Sequence, residues 1–188
     1  MKKFLIILLL AMPAMTWAQN VRLPELPAHR YDADLSQLDS GFWCTVQSLS
    51  GFSFRGADER AFTEQLSVVA GYRFSEYLRL GAGIGGKKYF NGSAAFRTPE
   101  SNLPGNIFLP VFLDVRGSIL SQASYRMYVP YWSFDCGYSV GEGSFFNPAL
   151  GVRFGGLRND LTLAFSYLLQ QSPFGSAHLV GLSIGYEF

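Results

Sequence analysis

From about residue 41 onward, apolar residues recur at every second position, and the pattern is broken and resumed eight times. A period of two sends alternate side chains to opposite faces of an extended strand, so it predicts strands rather than helices. The last segment is the clearest: Val180, Leu182, Ile184, Tyr186 and Phe188 alternate with Gly181, Ser183, Gly185 and Glu187. Before it, Leu161, Leu163, Phe165, Tyr167 and Leu169 oppose Asp160, Thr162, Ala164 and Ser166, and Leu150, Val152 and Phe154 oppose Ala149, Gly151 and Arg153. Trp132, Phe134, Cys136 and Tyr138 alternate with Tyr131, Ser133, Asp135 and Gly137, and the run Ile107 to Val115 sets its odd residues against Phe108, Pro110, Phe112, Asp114 and Arg116. Leu78 to Ile84 and Leu66 to Phe74 complete the clear cases, with Arg79, Gly81, Gly83 and Gly85 on one opposing face and Gln65, Ser67, Gly71 and Arg73 on the other. The weakest segment is the first, around Gly41 to Phe54, where Phe42, Cys44 and Val46 oppose Trp43, Thr45 and Gln47.

Eight short alternating segments predict an all-β fold: an eight-stranded antiparallel up-and-down transmembrane β-barrel with both termini at one end. The faces decide its solvent. An eight-stranded barrel has an interior just wide enough for a few layers of side chains, so it cannot enclose several dozen large apolar groups. Small and charged residues therefore fill the inside, and Leu, Val, Phe and Tyr face lipid. Two aromatic belts are expected at the membrane interfaces. One comprises Tyr72, Phe74, Tyr77, Tyr125, Tyr128, Phe154, Tyr186 and Phe188. The other comprises Phe52, Phe54, Phe62, Tyr89, Phe90, Tyr138, Phe145, Tyr167 and Phe174.

Composition strengthens this picture. Charged residues make up 15% of the chain, well below the roughly 25% of a soluble domain. Yet no segment beyond the first eighteen residues is apolar for the length a helical span requires. That first stretch, MKKFLIILLLAMPAMTWA, has the charged start, short apolar core and small final residue of a secretory signal, with cleavage expected between Ala18 and Gln19. The organisation read from the sequence is thus a signal peptide over 1–18, a periplasmic leader over 19–39 and a barrel over 40–188. Removal of Lys2 and Lys3 lowers the 15 basic residues to 13 against 14 acidic ones, so no basic excess exists for nucleic acid. Cys44 and Cys136 fall on the first and fifth segments, across the barrel from one another, and read as free lipid-facing thiols.

The signal, the eight alternating segments and the terminal Ile184, Tyr186 and Phe188 resemble the small outer-membrane barrels of diderm bacteria, the OmpA/OmpX-like class. The resemblance spans residues 40–188. It implies an outer-membrane location in contact with lipid, and insertion by the barrel-assembly machinery, for which the C-terminal aromatic pattern serves as a signal.

Candidate chemistry is sparse. Gly81 to Gly86 formally matches a dinucleotide-binding glycine pattern, but that loop must join a strand to a helix, whereas these glycines lie inside a strand and read as clearance for large lumen neighbours. Inward charges form a more informative set: Arg73, Arg79, Arg116 and Arg153 against Asp114, Asp135, Asp160 and Glu187. Equal numbers of each sign suit a buried structural network. His178 is the one candidate base near the outer rim, beside Ser172 and Ser176, with Glu142 within conceivable reach. The expectation is a barrel with no catalytic, cofactor or metal site, engaged in a structural or surface-interaction role. An extracellular partner would be met through loops 55–61, 91–105, 141–144 and 171–175. The alternatives are a lipid-modifying enzyme using His178, by acyl transfer or deacylation, and a narrow channel through the lumen charges.

Overall fold

Residues 40–55, 59–90, 107–120, 128–155, 159–172 and 175–188 are described by a computed structural model. The expected signal peptide, its cleavage site at Ala18 and Gln19, the leader, loop 91–105 and the ring positions Tyr125 and Phe174 lie outside these residues. Eight strands follow one another: β1 (Gly41–Arg55), β2 (Glu59–Ser75), β3 (Leu78–Phe90), β4 (Ile107–Ser118), β5 (Tyr128–Val140), β6 (Gly143–Gly155), β7 (Asp160–Ser172) and β8 (Gly175–Glu187). Each pairs antiparallel with its neighbour, and β1 pairs with β8 to close the barrel. The last rung is made by Cys44 and Phe188, whose backbones exchange two hydrogen bonds of 2.9 Å. Among the described residues no sheet edge is left unpaired, the condition for placing strands in lipid.

The register fixes the shape. Stepping from Gly41 through its successive ladder partners Arg73, Arg79, Arg116, Ser133, Ala149, Ser166 and Gly181 returns to β1 at Gly51, ten residues further on. A stagger of this size in eight strands corresponds to a tilt of about 40°, so each residue advances roughly 2.5 Å along the barrel axis. Outward rings recur at the matching interval: Phe42 and Phe52 on β1, Tyr72 and Phe62 on β2, Tyr128 and Tyr138 on β5. Ten residues span about 25 Å, the height of the apolar band of outer-membrane barrels. Between the belts the wall presents Leu66, Val68, Ile84, Leu113, Leu150 and Phe165, all exposed to the surroundings. Both cysteines are free thiols on this wall.

Two ring assignments are corrected. Phe145 and Tyr89, expected in the outer belt, point inward instead. Phe145 is buried in the lumen, and Tyr89 lies half-buried against Ala61 and Ala177. Both stand close to strand ends, where a short run of alternation gives a weak phase.

The glycines of β3 face large neighbours. A Cβ on Gly83 would lie 2.4 Å from the Phe112 ring, and one on Gly81 would lie 2.9 Å from Trp43. Gly71, the ladder partner of Gly81, is tighter still, because a Cβ there would meet the Leu80 carbonyl oxygen at 2.0 Å. That obstacle is backbone and cannot rotate away. Gly71→Val should therefore lower stability by about 1–3 kcal/mol through displacement of β3, read from urea unfolding in lipid vesicles. An unchanged midpoint would contradict the close approach of β2 and β3.

Candidate functional site

The lumen carries the polar chemistry of the barrel, and it is filled in three layers. At the end where β1 begins and β8 finishes, all eight charges of the inward set are buried inside the wall. Glu187 on β8 is the hub. Its Oε1 accepts hydrogen bonds from Arg73 Nη2 on β2 at 2.6 Å, from Arg79 Nη1 on β3, and from Arg153 Nη2 on β6 at 3.1 Å. Its Oε2 stands 3.9 Å from Arg116 Nη1 on β4. One carboxylate thus ties β8 to four other strands.

The remaining acids divide the excess positive charge. Asp160, at the start of β7, pairs with Arg153. Asp114 binds Arg116 through both oxygens, with Arg116 Nε donating to Oδ1 at 2.7 Å and Nη2 donating to Oδ2. These two residues are two apart on β4 and so share its inner face. Asp135 faces Asp114 across the β4–β5 ladder and accepts from Asn147 Nδ2 at 2.9 Å. The network also recruits neutral groups: Arg153 Nη1 donates to Ser118 Oγ at 3.3 Å, and the Arg116 guanidinium lies 4.6 Å from the centre of the Trp43 ring.

The middle layer is apolar. Leu49, Val69, Phe112, Phe145, Leu168 and Leu179 come from β1, β2, β4, β6, β7 and β8 and form one packed cluster with Trp43. Phe112 and Phe145 meet edge to face at 5.9 Å. On β4, β6 and β7 the order away from the terminal end is charged residue first and apolar residue after it, so this cluster lies beyond the charge network.

The third layer is a polar group at the far mouth that the sequence pattern did not disclose. Lys87 on β3 forms a 2.5 Å ion pair with Glu142 and donates to Gln170 Oε1 on β7 at 2.9 Å. Glu142 also accepts from Ser139 Oγ at 2.8 Å, and Gln170 Nε2 donates to the Gly143 carbonyl at 3.0 Å. Gly141 (φ 87°) and Gly143 (φ 109°) give the β5–β6 turn the left-handed backbone that folds Glu142 into the barrel. Within residues 141–144 the Glu142 side chain is thus buried in the mouth.

His178 stands on the opposite side of the wall. It faces outward, and its Nδ1 shares a 2.6 Å hydrogen bond with the Tyr167 hydroxyl. Glu142, engaged with Lys87 inside, is not its partner. Ser172 and Ser176 are at the strand ends of the same rim, and no hydrogen bond joins either to the imidazole. Among the described residues, no cluster of His, Cys, Asp and Glu could hold a metal ion.

No known protein family matches the sequence, and no curated protein matches it. Solved structures match the fold. Neisserial surface protein A is 15% identical with a TM-score of 0.52, over 79% of this chain and 96% of its own. The N-terminal β-barrel domain of Pseudomonas aeruginosa OprF is 13% identical with a TM-score of 0.44, over 77% and 97%. A de novo designed transmembrane β-barrel is 17% identical with a TM-score of 0.42, over 78% and 95%. The chain thus has the eight-stranded fold of the small bacterial outer-membrane barrels.

Two stability outcomes follow from the lumen geometry. Glu187→Gln leaves four guanidinium groups short of their common acceptor and should cost about 3–5 kcal/mol, whereas Ser176→Ala on the rim should stay within about 0.5 kcal/mol. Lys87→Ala and Glu142→Ala should be non-additive by about 1–3 kcal/mol in a double-mutant cycle of urea unfolding. Additive losses would mean that the mouth pair does not act as a unit.

Proposed function

We propose that this protein is a non-enzymatic barrel of the bacterial outer membrane that presents its outer loops on a rigid scaffold. The observation that carries this reading is the filled lumen: a neutralised charge network, an apolar layer and a bridged mouth lie in series across it. In that interior Arg73, Arg79, Arg116, Arg153 and Lys87 are each paired with a buried acid. The likeness to small outer-membrane barrels supports the location. Rigid scaffolds with variable loops are a general means of surface recognition, and the connections at the mouth opposite the termini would carry it.

A channel is disfavoured by the same layering. Leu49, Phe112, Phe145 and Leu168 would have to separate before water could form a continuous file, and apolar constrictions resist wetting. A lipid-modifying enzyme is disfavoured because His178 bonds to Tyr167 and, among the described residues, to no acid.

Deletion of residues 92–104 should leave folding intact and abolish binding to a surface partner; binding that survives the deletion would count against recognition through this loop. The purified barrel should give no single-channel steps in planar bilayers, and steps that change with Asp114→Asn would favour the channel. Lipid mass spectra of cells with and without the protein should coincide, and an acyl change lost in His178→Ala would favour the enzyme.

A further inference from the structure

Among the described residues, the outward charges at the mouth fall in one sector of the wall. His178 on β8 is the ladder partner of Phe54 on β1, and Phe54 is the partner of Arg60 on β2. One rung nearer the membrane centre run Val180, Phe52, Phe62 and Phe90, again ladder partners in sequence. Lys88 precedes Phe90 by two residues on the same face of β3, and its partner across the ladder is Glu64. The sector thus holds two cations and an imidazole around a row of rings. At the same end of β4 to β7 the outward residues are Ile107, Val140, Ser144, Phe146, Leu169 and Gln171, and none is charged.

Position and posture both bear on the occupant. Lys88 lies ten residues from Leu78, and His178 ten from Phe188, so both stand at the level of the upper aromatic belt, about 25 Å from the lower one. Both cations are exposed, and each lies beside an aromatic ring. The Lys88 ammonium rests 5.1 Å from the centre of the Phe90 ring, and the Arg60 guanidinium lies 5.9 Å from that of Phe54. The charges are therefore held against the wall at headgroup depth, where lipid phosphates lie. Glu64 adds an acceptor immediately beside Lys88, on the same rung. A headgroup bearing only phosphate would be repelled by it, whereas a sugar would donate hydroxyls to it.

We infer that this sector, centred on Arg60, Glu64 and Lys88, binds a phosphorylated glycolipid of the outer leaflet. Arg60 and Lys88 take the phosphates, Glu64 accepts sugar hydroxyls, and the rings of Phe54, Phe62 and Phe90 support the headgroup from below. This inference rests on the outer-membrane reading above, which places the mouth opposite the termini at the outer leaflet. Among the described residues the mouth ends of β4 to β7 offer the lipid no charged partner, so the bound molecule occupies one side of the barrel.

The test uses the full chain refolded into phosphatidylcholine vesicles that contain a minor fraction of bisphosphorylated glucosamine lipid, its dephosphorylated form or phosphatidylglycerol. Insertion is followed by protease protection and heat-dependent gel migration, and retained lipid is counted by native mass spectrometry after mild detergent release. The phosphorylated glycolipid should be retained by the native protein. Arg60→Gln with Lys88→Gln should reduce that retention about thirtyfold, because each cation near a charged surface contributes a factor of about five. Arg60→Lys with Lys88→Arg should restore most of it, and Glu64→Gln should weaken the glycolipid while sparing phosphatidylglycerol. Equal retention by native and double-Gln proteins, equal retention of dephosphorylated lipid or phosphatidylglycerol, or a second copy of the protein in place of lipid would overturn the inference. An inserted barrel with no selectivity fails this inference alone. A chain that enters none of the bilayers fails the membrane reading as well.

Discussion

Glu187 is the point on which the barrel closes. It stands on the last strand, which must find the first to leave no edge, and its carboxylate gathers guanidinium groups from β2, β3, β4 and β6. Four arginines at the end of a narrow lumen would repel one another in any register that failed to deliver an acceptor among them. A strand slipped by one residue would turn every side chain through the wall, exchanging Glu187 for Tyr186 inside and sending the charge into lipid. Backbone pairing of Cys44 with Phe188 and the ion network around Glu187 therefore specify the same closure. Buried ion pairs are weak evidence for net stability, since desolvation offsets much of their attraction. Their contribution here is to make one register far better than its neighbours.

The size of the lumen governs what can accompany that network. With eight strands, large side chains fit only where facing positions are empty, so Phe112 requires Gly83, and Trp43 requires Gly81. The alternation of bulk and absence lets the apolar cluster span the interior without distorting the ladder. It also separates two polar systems of different character. At the end where β8 finishes, guanidinium groups from four strands converge on one acid. At the mouth, a single lysine reaches a glutamate carried in by a hairpin turn.

Most of the fold was legible because the membrane imposes a simple code. Lipid outside and a small lumen inside require large apolar residues on one face and small or charged ones on the other, and this gave the strand number, the faces of Arg73, Asp114 and Glu187, and the outward position of His178. What the code left out lay at the ends of strands and in turns. The phase of Phe145 and Tyr89 depends on only a few neighbours. Lys87 and Lys88 differ in face by one position, and adjacent lysines give no clue to which one is inside until the strand is anchored by Ile84. Glu142 could not be read as a lumen residue because its direction comes from two left-handed glycines rather than from alternation. The layered apolar cluster was hidden for a further reason: Leu49, Leu168 and Leu179 interrupt a polar face and look like lapses in the pattern until the strands are brought together.

The same code explains why the inner and outer surfaces differ in how much they say about function. Inside, every position answers to volume and charge balance, so the residues with the richest chemistry are those most fully committed to holding strands together. A conspicuous arginine and acid cluster is then a signature of closure. Outside, the wall needs only to be apolar, and a charged group there is not required by the fold at all. Glu64, Arg60 and Lys88 fill no lumen space and, among the described residues, stand together in one sector of the belt. In a barrel of this kind the polar residues that packing does not require are the ones whose presence calls for an external partner.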